Sequence, residues 1–390
     1  MVYLDYAATT PMMDEVIEAI LPYQRQHFGN PSSVYGAGRE AKKGLEEARE
    51  KVAASIGALP SEIVFTAGGT EADNLGIKGA VARLDGRRRH IITASTEHHA
   101  VLHTAEWLER RGYRVTFLPV DRDGLLEMEA LESALSSETI LVSVMLANNE
   151  VGTVQPLAQI SQTVRERSRA LVHTDAVQAL GKIKVDVDEL GVDLAAFSAH
   201  KLGGPKGVGA LYVRRKTPVE PTAHGGGQER GMRSGTPNVA GIVGFGVAAQ
   251  ISVKELDYQA ERLSAMRDRL QDLILARIPQ VEVNAGGAPR VPGTVSVCVR
   301  GTEGESLLLM LDSKGIAASS GSACASGSLD PSHVLLAMGV PPELAHGSLR
   351  LSLGRDSKQE DVDTAVEALA QTVDRLRSIA PRFSGPSSNL

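Results

Sequence analysis

The chain is predicted to fold as an α/β protein: a large domain on a mostly parallel sheet, then a smaller α+β domain. Three observations predict this. Helical and strand patterns alternate from about residue 40 to residue 213, and the strands are apolar throughout, as in sheets covered on both faces. Glycine supplies 39 residues while aromatics make up only 4%, which implies an aliphatic core and many tight loops, as in open α/β enzymes that bind ligands at strand ends. Finally, a helical pattern with almost no breakers runs from Asn238 to about Ile278, long enough to leave one domain and enter another.

Residues 40–56 carry charged and Ala positions at helical spacing, and a second helix opens at Thr70-Glu71. His90–Ala94 reads as a strand and is followed by a helix to Glu109. Arg114–Val120 (strand), Leu126–Leu135 (helix), Thr139–Leu146 (strand), Leu157–Arg167 (helix) and Ala170–Thr174 (strand) continue the alternation. Leu194–Ser198 and Gly209–Val213 close the series. In the long helical stretch, Val239–Ile251 is apolar and rich in Gly and Ala, whereas Lys254–Arg277 is amphipathic. Beyond it come Thr294–Val299 (strand), Glu305–Leu311 (helix), a loop of small residues over 317–328, Ser348–Leu353 (strand) and Glu360–Ile379 (helix). The expected division is a large domain over 15–253 and a small one over 1–14 and 254–378 that carries the 317–328 loop. Residues 379–390 read as a mobile tail.

With 41 basic and 47 acidic side chains among 390 residues, the net charge is −6. That argues against a nucleic-acid-coating surface. No apolar run is long enough to span a bilayer, and the start, Met-Val-Tyr-Leu-Asp-Tyr, lacks the layout of a secretory signal. Cys298 and Cys324 are the only cysteines, too few for a disulfide framework or a Cys-based zinc site. The expected setting is a reducing one, by default the cytoplasm, with no membrane partner and no direct nucleic-acid partner.

Lys201 follows an apolar strand directly, in Phe197-Ser-Ala-His-Lys201, and the strand before it ends in His173-Thr-Asp-Ala-Val-Gln178. A lysine at one strand end and a carboxylate at the next suit pyridoxal phosphate: Lys201 forms the Schiff-base link, and Asp175 keeps the pyridine nitrogen protonated so that the ring accepts electrons. Asp175 read alone is equally a helix cap. Gly68-Gly69-Thr70 at a helix start favours a phosphate, without the lysine of a nucleoside-triphosphate loop. In Thr96-Glu-His-His-Ala-Val-Leu-His103, His99 and His103 share a helical face, but no zincin pattern and no cysteine accompany them, so no metal is expected. His98 is placed to stack on a flat ring and shuttle protons. Cys324 lies in Ala317-Ala-Ser-Ser-Gly-Ser-Ala-Cys-Ala-Ser-Gly-Ser328; small neighbours suit an accessible thiolate nucleophile, unlike Cys298, which sits among valines.

These residues resemble the cysteine desulfurases of the NifS/IscS type, pyridoxal-phosphate enzymes of fold type I in the class-V aminotransferase family. The resemblance runs nearly end to end through Tyr3-Leu-Asp-Tyr-Ala-Ala-Thr-Thr10, Gly29-Asn-Pro-Ser-Ser33, Gly69-Thr-Glu-Ala-Asp-Asn74, Thr96-Glu-His98, Asn148-Asn-Glu150, Asp175-Ala-Val-Gln178, Ser198-Ala-His-Lys201, Arg233-Ser-Gly-Thr236, Ser319-Ser-Gly-Ser-Ala-Cys324 and Arg350-Leu-Ser-Leu-Gly354. It implies a seven-stranded, mostly parallel sheet in the large domain and conversion of L-cysteine to L-alanine. Lys201 would bear the cofactor, Asp175 pair with its ring nitrogen, Gln178 with its ring hydroxyl, and His98 stack on it. Thr70, Ser198 and His200 would hold the phosphate, joined by Thr236 of a second copy, which makes a homodimer. Asn149 and Arg350 would grip the substrate carboxylate, and Cys324 would take the sulfur as a persulfide and deliver it to an acceptor. His98 would accept the proton that frees the Cys324 thiolate.

Housekeeping members of the family carry a longer C-terminal segment that docks an iron–sulfur scaffold, whereas here little follows the last helix. The acceptor is therefore open among an iron–sulfur scaffold, a tRNA-thiolation enzyme and a DNA-phosphorothioation system. An aminotransferase would not need Cys324; a selenocysteine or sulfinate lyase would not be told apart by sequence. An interaction protein that had kept only the fold would be expected to lack Lys201, Asp175 or Cys324.

Overall fold

The computed structural model describes residues 1–84, 86, 88–320 and 330–379. Along the chain, β1 (Val2–Tyr3) leads to α1 (Asp14–Arg25) and α2 (Gly36–Ala54). Then β2 (Ile63–Thr66), α3 (Gly69–Leu84), β3 (His90–Ala94), α4 (His99–Glu109) and β4 (Arg114–Leu118) follow. Next come α5 (Met128–Ala134), β5 (Thr139–Ser143), α6 (Leu157–Arg167), β6 (Leu171–Asp175), α7 (Val187–Leu190), β7 (Leu194–Ser198) and β8 (Gly209–Val213).

These strands form one seven-stranded sheet in the order β2-β8-β7-β6-β5-β3-β4. Only β8 runs against the rest. Successive residues of a strand enter opposite cores, which is why the strands are apolar throughout. Phe65, Ile92, Val142, Ala195 and Ala210 pack on one face with Val52, Ile56 and Phe245. Their neighbours Val64, Ile91, Leu141, Ala196 and Leu211 pack on the other with Leu75, Ile77 and Val101. Each such aliphatic side chain contributes about 1.5–3 kcal/mol on full burial.

The remaining elements are α8 (Val239–Lys254), α9 (Leu256–Arg277), β9 (Val281–Val283), β10 (Thr294–Val299), α10 (Gly304–Asp312), β11 (Ile316–Ala317), α11 (His333–Ala337), α12 (Pro342–Ala345), β12 (Ser348–Ser352) and α13 (Gln359–Ile379). The stretch read as one continuous helix is two, bent by 70° at Glu255. A three-stranded antiparallel sheet, β12-β10-β9, packs with α9, α10 and α13 around Val297, Leu270, Leu307, Leu351 and Leu369. β1 pairs with β11, so the chain's first residues join this C-terminal unit, and Leu4 is part of its core. No single helix among the described residues is long and apolar enough to cross a membrane.

Two elements that the sequence reading passed over matter for the site: α1, and β2, whose four residues are too few for a period to register. The loop expected at 317–328 is described as far as Ser320; Cys324 lies outside the described residues, as does the tail from 380 onward.

Candidate active site

β2, β3, β5, β6 and β7 all end on one edge of the sheet, and the expected functional residues follow those ends. After β7 the chain makes a short turn, Ala199–Lys201, before reversing into β8. Gly203 (φ +82°) lies where any Cβ would meet the Met13 side chain at 2.4 Å. The Lys201 ammonium donates to the carbonyls of Ala7 (2.8 Å) and Ala8 (2.7 Å). Next to it, His200 Nδ1 meets Thr9 Oγ1 at 3.1 Å and the Thr10 amide donates to the His200 carbonyl. The first ten residues are thus strapped across the lysine.

Asp175 ends β6 and is 5% exposed. One oxygen caps the next turn by accepting the Val177 amide at 2.9 Å. Burial raises its pKa to about 6, opposed by that amide and by nearby Lys201. A buried carboxylate with so little countercharge is complementary to a protonated ring nitrogen. Gln178, also buried, donates Nε2 to the Ala7 carbonyl at 2.9 Å, which places its amide between Asp175 and the strapped N-terminal segment.

The start of α3 supplies the anion end. Thr70 is exposed there, beside buried Gly69 and Ser198. A Cβ on Gly69 would lie 2.7 Å from Val177 and 3.5 Å from Ser198, so glycine lets the helix start close on the β6 and β7 ends. A Cβ on Gly209 would lie 2.5 Å from the Phe197 carbonyl and 2.6 Å from Gly68. Unpaired amides at the head of a 16-residue helix attract phosphate.

His98 precedes α4 and caps it: Nδ1 accepts the Ala100 amide at 3.1 Å. Burial, and then Lys201, lower its pKa to about 4. The neutral ring therefore carries its hydrogen on Nε2, a tautomer assigned from that hydrogen bond. Its outward edge is a donor, so the proton-acceptor role expected from sequence would require the Ala100 contact to break.

On the opposite side stands Arg350 of β12, 3% exposed. Its guanidinium donates to the Asn149 carbonyl (2.7 Å) and to Asp5 (2.8 Å). Its Nε is buried with no hydrogen-bond partner, as is Asn149 Oδ1. An Arg edge left open in this way matches an incoming carboxylate. Arg350 and Ser319 also exchange two backbone hydrogen bonds (2.7 and 3.2 Å), which fixes the chain just before residue 321.

The structure thus brings Lys201, Asp175, Gln178, His98, Ser198, His200, Thr70, Asn149 and Arg350 around one edge of the sheet. Thr236 is exposed, on the wall of a separate groove with Ala67 and Arg233. Cys324 lies outside the described residues. Among those residues no group of His, Cys, Asp and Glu is arranged to hold a metal; His99 instead stacks near His103 (centroids 4.9 Å apart) and His333 (4.8 Å).

Five groups escaped the sequence reading. Asp73 and Glu97 are buried near Asp175, and burial drives both carboxyls well upward, Asp73 further through Asp175 and Glu97, and Glu97 through Asp175. His173 links to Asp73 (3.5 Å) and to Ser143 (2.8 Å). Glu150 is buried against Ser332. Lys182 and Lys201 both line a cavity of about 500 Å³ behind the N-terminal strap. An ionisable residue inside an otherwise apolar stretch was the only signal available for them.

The comparisons with known proteins agree with this geometry. The aminotransferase class-V family model matches residues 2–365. "Cysteine desulfurase IscS" of Dictyoglomus turgidum is 49% identical over 380 residues, covering 97% of this chain and 96% of the relative. A solved structure described as a NifS-like protein superposes with a TM-score of 0.90 at 40% identity, covering 96% of this chain and 99% of its own. Another, SspA in complex with cysteine, gives 0.79 at 37% identity over 90% and 99% of the two chains. The chain belongs to the class-V aminotransferase family and, within it, to the cysteine desulfurases of the NifS/IscS type. It is accordingly a pyridoxal-phosphate-dependent enzyme of fold type I.

Proposed function

We propose that this site converts L-cysteine to L-alanine and passes the sulfur through Cys324, as a persulfide, to an acceptor. The observation that carries the reading is the pairing of a buried carboxylate, Asp175, with Lys201 at neighbouring strand ends, together with a buried Arg350 Nε that has no hydrogen-bond partner. Asp175 would hold the ring nitrogen, Gln178 the ring hydroxyl, and Thr70, Ser198 and His200 the phosphate, with His98 over the ring. Bound pyridoxal phosphate supplies an electron sink for the pair released at the substrate's α-carbon.

Arg350 and Asn149 orient the substrate carboxylate. Lys201 would hold the cofactor and, beside the substrate's α-carbon, would act as the base that takes up and hands on the α-proton. The Cys324 thiolate then attacks the substrate sulfur, forming a sulfur–sulfur bond as the carbon–sulfur bond breaks. The neutral His98, with its hydrogen on Nε2, would donate a hydrogen bond to the departing fragment.

In this reading residues 15–253 form the cofactor-binding domain and residues 1–14 with 254–378 the domain that presents Cys324. Thr236 reaches the phosphate of a second copy, making a homodimer. The acceptor is an iron–sulfur scaffold or a thiolation enzyme, and the setting is the cytoplasm.

Absorbance of the purified protein before and after L-cysteine, in wild type and Cys324→Ser, tests the reading. The expected result is a cofactor band perturbed by cysteine in both, with alanine and reductant-released sulfide formed only by wild type. Equal sulfide from Cys324→Ser would remove Cys324 from the chemistry; absence of any cofactor band after reconstitution would overturn the whole assignment.

A further inference from the structure

Gln178 is a neutral amide whose two ends are hard to tell apart sterically but opposite in chemistry: one accepts, the other donates. To serve a ring hydroxyl oxygen that carries negative charge, its nitrogen must face that oxygen. Something has to hold the amide that way round, because the reverse orientation would turn lone pairs toward the anion.

Lys182 occupies the position that decides it. Its ammonium donates to Gln178 Oε1, while Gln178 Nε2 donates to the Ala7 carbonyl. The same Ala7 carbonyl receives the Lys201 ammonium. Lys182, Gln178, Ala7 and Lys201 therefore form one chain of hydrogen bonds, with a lysine amine donating at each end.

The backbone is built to deliver this contact. Gly181 has φ +78°, and a Cβ there would meet Ser252 at 2.9 Å. That turn folds Lys182 back over Gln178, closed by the Lys182 amide donating to the Ala179 carbonyl. No carboxylate forms an ion pair with Lys182 among the described residues, so its amine answers to Gln178 and not to a counter-ion. Burial, then Lys201 and Arg350, lower the Lys182 pKa to about 7, as expected for an amine enclosed beside two other cations.

We propose that Lys182 is a positioning residue: by fixing the acceptor end of Gln178 it aims the Gln178 N–H at the cofactor's ring hydroxyl oxygen. It also adds positive potential on that side of the site. The proposal rests on the reading of Gln178 given above.

The test is a spectroscopic pH titration of the bound cofactor in the holoenzyme without substrate, in wild type, Lys182→Met, Lys182→Arg, Gln178→Leu and the Lys182→Met/Gln178→Leu pair. Losing either the aimed N–H or the nearby charge favours the protonated form of the cofactor–Lys201 link. Lys182→Met should therefore raise the midpoint by about one pH unit. Lys182→Arg, which still donates, should stay within about a third of a unit of wild type. The pair should move it little further than Gln178→Leu alone. A midpoint shifted by Gln178→Leu but unmoved by Lys182→Met would overturn the proposal and leave the Gln178 reading standing. No shift in either would overturn both. Should Lys182→Met not fold, Lys182→Ala takes its place with the same expected rise and the same overturning result.

Discussion

Ser332 donates its hydroxyl to the Glu150 carboxylate, and both side chains are almost wholly buried. The contact joins the first turn of α11 to the residue beside Asn149, on the substrate-carboxylate side of the site. With the Ser319–Arg350 bridge, it ties both flanks of the 321–329 segment to the same few residues.

Burial raises the Glu150 pKa to about 7 despite Ser332 and Arg350, which pull it down. A carboxyl held above its ordinary value favours the folded state while it is protonated. That contribution is complete below about pH 4.5 and is lost as pH rises through about 7. Glu150→Gln keeps an acceptor and does not titrate. Its stability relative to wild type should therefore grow by on the order of 2–3 kcal/mol between pH 4.5 and 8. Denaturant unfolding of both proteins at several pH values checks this, and a constant difference would refute it.

His98 caps α4 and, in the proposed mechanism, would also face the reaction. Asn caps as well as His can but has no ring. His98→Asn should leave the melting temperature within about 2 °C of wild type and lower kcat/KM by about 10²–10³. His98→Ala should lose both. Turnover by His98→Asn equal to wild type would take the imidazole out of the chemistry.

Arg49 of α2 is 3% exposed and forms a two-pronged pair with Glu229 (2.7 and 2.8 Å), whose carboxylate also accepts the Phe65 amide of β2. Arg49→Ala strands a buried charge and should cost about 3–5 kcal/mol, while Arg49→Met/Glu229→Leu should recover much of it. Chemical denaturation reads both; a loss under about 1 kcal/mol for Arg49→Ala would contradict the burial argument.

Gly209→Ala sets a methyl group against backbone at Phe197 and Gly68, and neither can step aside. The head of α3 must lift, so pyridoxal phosphate affinity of the apoprotein should fall at least about tenfold. Gly69→Ala meets the Val177 side chain instead and should fall less. Fluorescence titration with the cofactor ranks the two; an unchanged affinity in Gly209→Ala would show that the phosphate is held elsewhere.

The sheet was legible because strands buried on both faces stay apolar residue after residue, as in Leu194–Ser198 and His90–Ala94. β2 was missed because Ile63-Val-Phe-Thr66 offers only four residues, and its partner, β8, lies far along the chain. The bend at Glu255 was invisible since no Gly or Pro marks it. At the site, Lys201 and Asp175 announced themselves by following strands, whereas Asp73 and Glu150 matter through partners distant in sequence. Such pairings have no local pattern to read.

The Arg350–Asp5 ion pair joins residues near opposite ends of the chain. Its remoteness has a consequence for the order in which a ribosome could complete this protein. Thr70, His98, Asp175, Gln178, Ser198 and Lys201, with the Ala7 carbonyl, have all been synthesised once β8 emerges. The proposed grip of Arg350 on the substrate carboxylate would wait for β12. Domains tend to fold as they emerge, from the N-terminus onward, and distant pairings close last. In the proposed mechanism a nascent chain would thus carry most of its cofactor-binding residues well before Arg350 and Cys324, the residues that would hold cysteine and take its sulfur.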